Sequence, residues 1–151
     1  MLRRSIFLKA LKDKGIKLDK NRLVAGNHRV DGGYAAMQRL LEQNPRPTAV
    51  MTSNDLTAIG AIKAIYEAGL QVPRDISVVG FDDIEMSSAY NPALTTVRLS
   101  RADIATRAFF SLYYANNDLT GSAAKRKVQQ AADKMVPTQL ILRKSTAPPI
   151  N

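Results

Sequence analysis

Two carboxylate-bearing dipeptides stand where apolar runs stop. Residues 48–55 read "TAVMTSND" and residues 73–83 read "PRDISVVGFDD". In each, small and apolar residues lead into acids or amides, Asn54-Asp55 in the first and Asp82-Asp83 in the second. Such side chains accept hydrogen bonds from hydroxyls and amides, which suits holding a polar small molecule. A continuous apolar run bounded by turn residues marks a strand covered on both faces, as in a parallel α/β sheet. Ligands of such sheets bind beyond the carboxyl ends of the strands. If both runs belong to one parallel sheet, the two dipeptides share a rim. Each also has a purely structural reading: Asn54 or Asp55 as a helix N-cap, and Asp83 as a cap of the turn "IEMSS". Asp82 and Asp83 do not make an acid–base pair, because neighbours along a strand point to opposite faces.

His28 falls on the same presumed rim, where a lone histidine also serves as a plain surface or capping residue. It is the single histidine of the chain, and there is no cysteine. A disulfide framework and a thiolate metal site are excluded, and a histidine metal cluster is not expected. No serine sits in a nucleophile elbow, and neither "VAGNH" nor "RVDGGY" forms a phosphate loop. The chain offers no catalytic set, so binding without catalysis, metal or cofactor is expected.

The elements that must position these residues follow from periodicity. Residues 3–14 place Ile6, Phe7, Ala10 and Leu11 at helical spacing, and Gly15 stands as a stop. "NRLVAG" reads as a short strand, after which Asp31 opens a helix with Tyr34, Met37, Leu40 and Leu41 on one face. "NPRP" breaks it, "TAVMTSND" follows as a buried strand, and "LTAIGAIKAIYEAGL" is a helix ended by Gly69. "QVPRD" turns into the strand "ISVVGFDD". Strands alternating with helices predict an α/β fold with a doubly wound parallel sheet. Beyond "NPALTTV" the spacing predicts a helix over 102–116 carrying Phe109, Phe110, Tyr113 and Tyr114, then the polar stretch "GSAAKRKVQQAADK" and a strand within "MVPTQLILRKSTAPP".

At 151 residues, 45% hydrophobic and 23% charged, the chain has the make-up of one globular domain with a real core. Its net charge of +9 is concentrated around Arg3, Arg4, Lys9, Lys12, Lys14, Lys17 and Lys20, and again at Lys125, Arg126 and Lys127. Neither cluster comes with a helix-turn-helix or interleaved aromatics, so the charge reads as solvated surface rather than a DNA-reading face. No apolar run reaches the length of a membrane span and no secretory pattern opens the chain, which leads us to expect a cytoplasmic protein.

Longer motifs carry a resemblance. "TAVMTSNDLTAIGAIKAIYEAGLQVPRDISVVGFDDIEMSSAYNPALTTVR", with "RKSTAPP" near the end, resembles the effector-binding domain of LacI/GalR-family transcriptional regulators over nearly the whole chain. "RRSIFLKAL" is similar to the family's R-x-x-G-F-x-x-A-L helix, with Ile6 at the usual glycine. The resemblance implies a periplasmic-binding-protein-like type I fold of two α/β lobes around a ligand cleft. By it, residues 1–98 belong to the C-terminal lobe, 99–135 to a crossover and helical segment of the N-terminal lobe, and 136–151 to a return strand and tail. It implies that Arg3, Asn54 and Asp82 hydrogen-bond effector hydroxyls, that His28 lies where members place an aromatic against a sugar ring, and that Arg101 lines the cleft. The implied partners are a small-molecule effector, a sugar or sugar derivative, and operator DNA read by a helix-turn-helix outside these residues. A homodimer without membrane association is expected, and a periplasmic sugar receptor of a transporter is the alternative.

A doubly wound sheet usually begins on a central strand, whereas this chain begins on a helix. We therefore expect a strand to be missing ahead of Met1, leaving a gap in the sheet. We expect a dimer or exchanged arrangement in which 99–135 pack against a partner; the competing outcome is that "NRLVAG" pairs with "TAVMT" across the gap.

Overall fold

The computed structural model describes residues 2–116 and 136–148. The polar stretch 121–134 and the side chain of Tyr114 lie outside the described residues. The elements are α1 (Leu2–Asp13), a 3-10 turn (Lys20–Arg22), α2 (Val30–Leu41), β1 (Ala49–Met51), α3 (Asp55–Glu67), β2 (Ser77–Asp82), α4 (Glu85–Ala89), β3 (Thr95–Leu99), α5 (Arg101–Asn116) and β4 (Thr138–Ile141). The four strands are neighbours in chain order, and β1 pairs with β2 in parallel, Val50 opposite Val78. The chain divides into two units, Met1–Thr96 with Ile141–Asn151, and Val97–Leu140.

The first unit holds the core. Met37 and Leu40 of α2 meet Ala58, Ala61, Ile62 and Ile65 of α3, and the cluster continues through Ile76, Val78 and Leu94. Two glycines let these helices approach closely: a Cβ at Gly33 would overlap the Thr57 backbone, and one at Gly60 the carbonyl of Val30. Burial of most of α3, leaving one exposed stripe through Leu56, Lys63, Tyr66 and Glu67, explains why its sequence is apolar around most of the helix. α1 is different. Phe7 and Leu11 are half-buried, whereas Ile6 is 58% exposed and Ala10 is exposed, so the expected apolar stripe is only half used.

The strand expected over "NRLVAG" does not form. Lys20–Arg22 make a 3-10 turn capped by the Asp19 carboxylate, and Leu23–Asn27 run on without helix or ladder. A strand exists only with a partner, and β1, the element it would meet, bonds to β2 alone among the described residues. The competing re-pairing of "NRLVAG" with "TAVMT" is therefore not what the chain does.

In the second unit α5 extends over the predicted helix. Phe109 is 62% exposed, Phe110 41% and Tyr113 50%. Phe109 meets Phe110 edge-on with ring centroids 5.5 Å apart and stacks with Tyr113 at 6.0 Å.

Candidate functional site

The carboxyl ends of β1 and β2 lie side by side, because the two strands are parallel and in register. Beyond β1 the chain reaches Ser53 and Asn54, and beyond β2 it reaches Asp82 and Asp83. Asn54 is the N-cap of α3: its Oδ1 accepts from the Thr57 N–H at 2.9 Å and from the Thr57 hydroxyl at 2.6 Å. Its Nδ2 donates to the His28 carbonyl at 2.8 Å, so one side chain caps a helix and ties down a loop.

His28 has φ of 62° and is exposed. Its Nδ1 lies 2.9 Å from the Ser53 hydroxyl, which fixes the ring on the rim. Nearby, the Asn27 amide donates to Asp31, and that hydrogen bond is the first cause holding the Asp31 carboxyl below its usual range. The helix α2 thus starts without a side-chain cap of its own, and Asp31, expected to open it, sits inside its first turn. Arg3 reaches over from α1. Its Nη1 donates to the Ser53 carbonyl at 2.7 Å, and its guanidinium lies 4.0 Å above the centre of the Phe81 ring.

Arg3, His28, Ser53 and Phe81 line one end of a cavity of about 460 Å³. Three arginines and one histidine line it and, among the described residues, no carboxylate does. Asn54 and Asp82 are not part of that wall. Asp82 ends β2 with φ of 115°, followed by Asp83 at 52°. L-residues rarely adopt such values, and the cost is tolerated where the surroundings fix the backbone, commonly at ligand-holding positions. Arg101 opens α5 in the second unit and is exposed.

Comparison with known proteins fits this architecture. A family profile described as a periplasmic binding protein-like domain matches residues 1–146. The repressor PurR of Erwinia tasmaniensis, an HTH-type transcriptional repressor, is 43% identical over 141 residues, covering 93% of this chain and 39% of that protein. A LacI-family sugar-binding transcriptional regulator from Escherichia coli, solved with phosphate, superposes with a TM-score of 0.75 at 32% identity, over 94% of this chain and 48% of that one. The chain belongs to the periplasmic-binding-protein-like family, in its LacI/GalR regulator branch. A lac repressor dimer bound to operator and the anti-inducer ONPF also matches, with a TM-score of 0.75, 30% identity and coverage of 97% and 48%. The LacI/GalR-type chain spans about two fifths of the length of the curated relatives it matches, 39% of the PurR protein.

A fully buried carboxylate of this LacI/GalR-type domain belongs to a residue whose sequence suggested only a possible cap. Asp55 is 0% exposed. Its Oδ1 accepts from the Thr96 hydroxyl at 2.5 Å, and its Oδ2 from the Ile84 N–H at 2.9 Å and the Ser87 hydroxyl at 2.6 Å. One carboxylate therefore joins the start of α3, the turn after β2, α4 and β3. A Cβ at Gly80 would overlap Asp55 Oδ1, which is why β2 carries a glycine there. Asp83 does not cap α4, whose N-cap is Ile84; it pairs with Arg143 at 2.7 Å, and Arg143 also donates to the Leu94 carbonyl at 2.8 Å. Ser145 completes the arrangement, donating to the Val78 carbonyl and accepting from the Thr95 N–H. The hydroxyl-rich "TT" and "ST" pairs inside apolar context were the only local signal of this network.

Proposed function

We propose that this domain senses a small polar effector, a sugar or sugar derivative, and that in a full-length regulator it controls operator binding as part of a cytoplasmic homodimer. The observation that carries the reading is the rim itself. A strained Asp82 ends β2, and His28 is anchored to Ser53 just beyond β1, next to an arginine stacked on Phe81. Carboxylate, guanidinium, imidazole and amide groups held around these two strand ends supply the donors and acceptors a polyhydroxylated ligand needs.

In this reading Arg3, Asn54 and Asp82 bond effector hydroxyls, His28 offers a flat face, and Arg101 is a further effector contact. The solved sugar-binding transcriptional regulator from Escherichia coli supports the sugar class, and the lac repressor dimer bound to operator supports assembly and DNA control. The relatives' names as repressors favour a regulator over a transport receptor or an enzyme. The charge of +9 then gives the chain only salt-sensitive, sequence-independent DNA affinity.

Calorimetry tests the reading in a full-length regulator carrying this domain, with neutral mono- and disaccharides and sugar phosphates as titrants. One of these should bind, and Asp82→Asn should weaken it by roughly 1.5–3 kcal/mol, the worth of a hydrogen bond to a charged group. Equal affinity in the variant would restrict Asp82 to a backbone role and remove the proposed contact.

A further inference from the structure

His28 is held at two points by consecutive residues. Just beyond β1 the Ser53 hydroxyl lies 2.9 Å from the ring's Nδ1, and the Asn54 Nδ2 donates to the His28 carbonyl at 2.8 Å. A third bond braces the backbone: the Arg29 N–H donates to Asn27 Oδ1 at 3.0 Å, closing an Asx turn with His28 at its centre. That turn accounts for the left-handed φ of 62°, a region histidine enters more readily than most residues. An exposed loop side chain ordinarily samples several rotamers. Here the turn fixes the backbone and the end of β1 fixes the ring. The Ser53 hydroxyl has no second partner among the described residues, and α3 is capped by Asn54 instead. The ring's Nε2 likewise makes no hydrogen bond among the described residues. A neutral imidazole has one donor and one acceptor nitrogen, and the partner of one sets the role of the other. A hydroxyl serves either role, but the form protonated at Nε2 is the intrinsically favoured one and calls for a donor at Nδ1.

We propose that Ser53 is a positioning residue of the effector site: its hydroxyl donates to His28 Nδ1, holds the ring in the Nε2–H form, and makes that N–H a directed donor to an acceptor oxygen of the effector. Resting on the effector reading of the rim, this adds a donor at the ring's edge to its flat face. Arg3 is tied to the same residue, since its Nη1 donates to the Ser53 carbonyl at 2.7 Å. The carbonyl of Ser53 thus sets the guanidinium and its hydroxyl sets the imidazole, so two donors stand in a fixed relation at one end of the rim. Ordering them before the ligand arrives lowers the entropy lost on binding. An effector that lacks the matching oxygen leaves the Nε2–H unpaired, which is how a site built to bond a hydroxyl rejects the analogue without it.

His28 is the single histidine of the chain, so its ring nitrogens give unambiguous NMR signals. Long-range proton–nitrogen correlation spectra of the 151-residue chain, taken at mildly alkaline pH without ligand, should show one tautomer, with Nδ1 bare and Nε2 protonated. Ser53→Ala should draw the two nitrogen signals together as the tautomers average, with the backbone amide spectrum otherwise retained. Ser53→Thr keeps a hydroxyl and should keep the parent pattern. Calorimetry with D-ribose, D-glucose, sucrose and D-glucose phosphate then reads the consequence for binding. For a titrant that binds the parent, Ser53→Ala should weaken affinity by about 3–10-fold, the effect of freeing one ordered side chain, and Ser53→Thr should restore it. An averaged or Nδ1-protonated ring in the parent, an unchanged ring in Ser53→Ala, loss of the single tautomer in Ser53→Thr, or equal affinity of Ser53→Ala for a sugar that binds the parent would each overturn the proposal. If no titrant binds the parent, the effector reading fails by itself, and the ring spectra alone decide whether Ser53 holds His28.

Discussion

Replacing Asp55 by alanine should be among the most damaging single changes in the first unit. The carboxylate is fully buried and accepts three hydrogen bonds, from Thr96, Ile84 and Ser87. Truncation leaves three buried donors facing a void. Each orphaned donor costs about 1–3 kcal/mol, less what the two hydroxyls recover by rotating to other acceptors. Relief of the charge's own desolvation offsets part of the remainder. The net expectation is a loss of about 3–5 kcal/mol, a large fraction of the stability of a small domain. Thr96→Val deletes one donor and leaves two, and should cost about 1–2 kcal/mol. Urea unfolding followed by circular dichroism measures both, and the double variant should cost less than the sum, since the partners share one network. A loss below about 1 kcal/mol for Asp55→Ala, with an unchanged denaturant slope, would refute the account of Asp55 as the tie between α3, β2, α4 and β3.

Further changes test the neighbouring ties. Arg143→Ala breaks an ion pair whose side chains are 16% and 8% exposed and frees the Leu94 carbonyl, so unfolding should ease by about 2–4 kcal/mol in the same urea assay. Gly80→Ala places a Cβ into Asp55 Oδ1 and 2.8 Å from Leu94 Cδ2, and thermal melting should fall by several degrees or more. The Asp75 carboxyl is held below its ordinary value of 3.8, first by the Arg74 side chain and next by the Gln71 N–H. Its folded pKa being depressed, it stabilises the fold above the unfolded value and the contribution fades as pH falls through the folded value. Asp75→Asn should therefore be less stable than the parent near neutrality, with the difference shrinking in acid titrations as pH falls below the ordinary value of 3.8.

What the sequence settled by itself were the features that depend on local chemistry. The apolar runs of β1 and β2, the amphipathic face of α2 with Met37 and Leu40, the stops at Gly15 and Gly69 and the N-cap role open to Asn54 are all set within a few residues of themselves. The rim followed from them, since two buried parallel strands must end on the same side. Other features needed the fold. "NRLVAG" has a strand's composition and no strand, because a ladder requires a second backbone at about 4.8 Å and β1 is separated from it by the cavity. Asp55 looks like any acid opening a helix, and only tertiary packing brings the donors Ile84, Ser87 and Thr96 around it. Asp83 lies next to a turn it was free to cap, yet the guanidinium sixty positions away offers a charged donor that a local amide cannot match. Sequence determines which groups need satisfying; chain folding decides which distant groups satisfy them, because burial makes every unpaired polar atom costly and local neighbours are too few to serve them all.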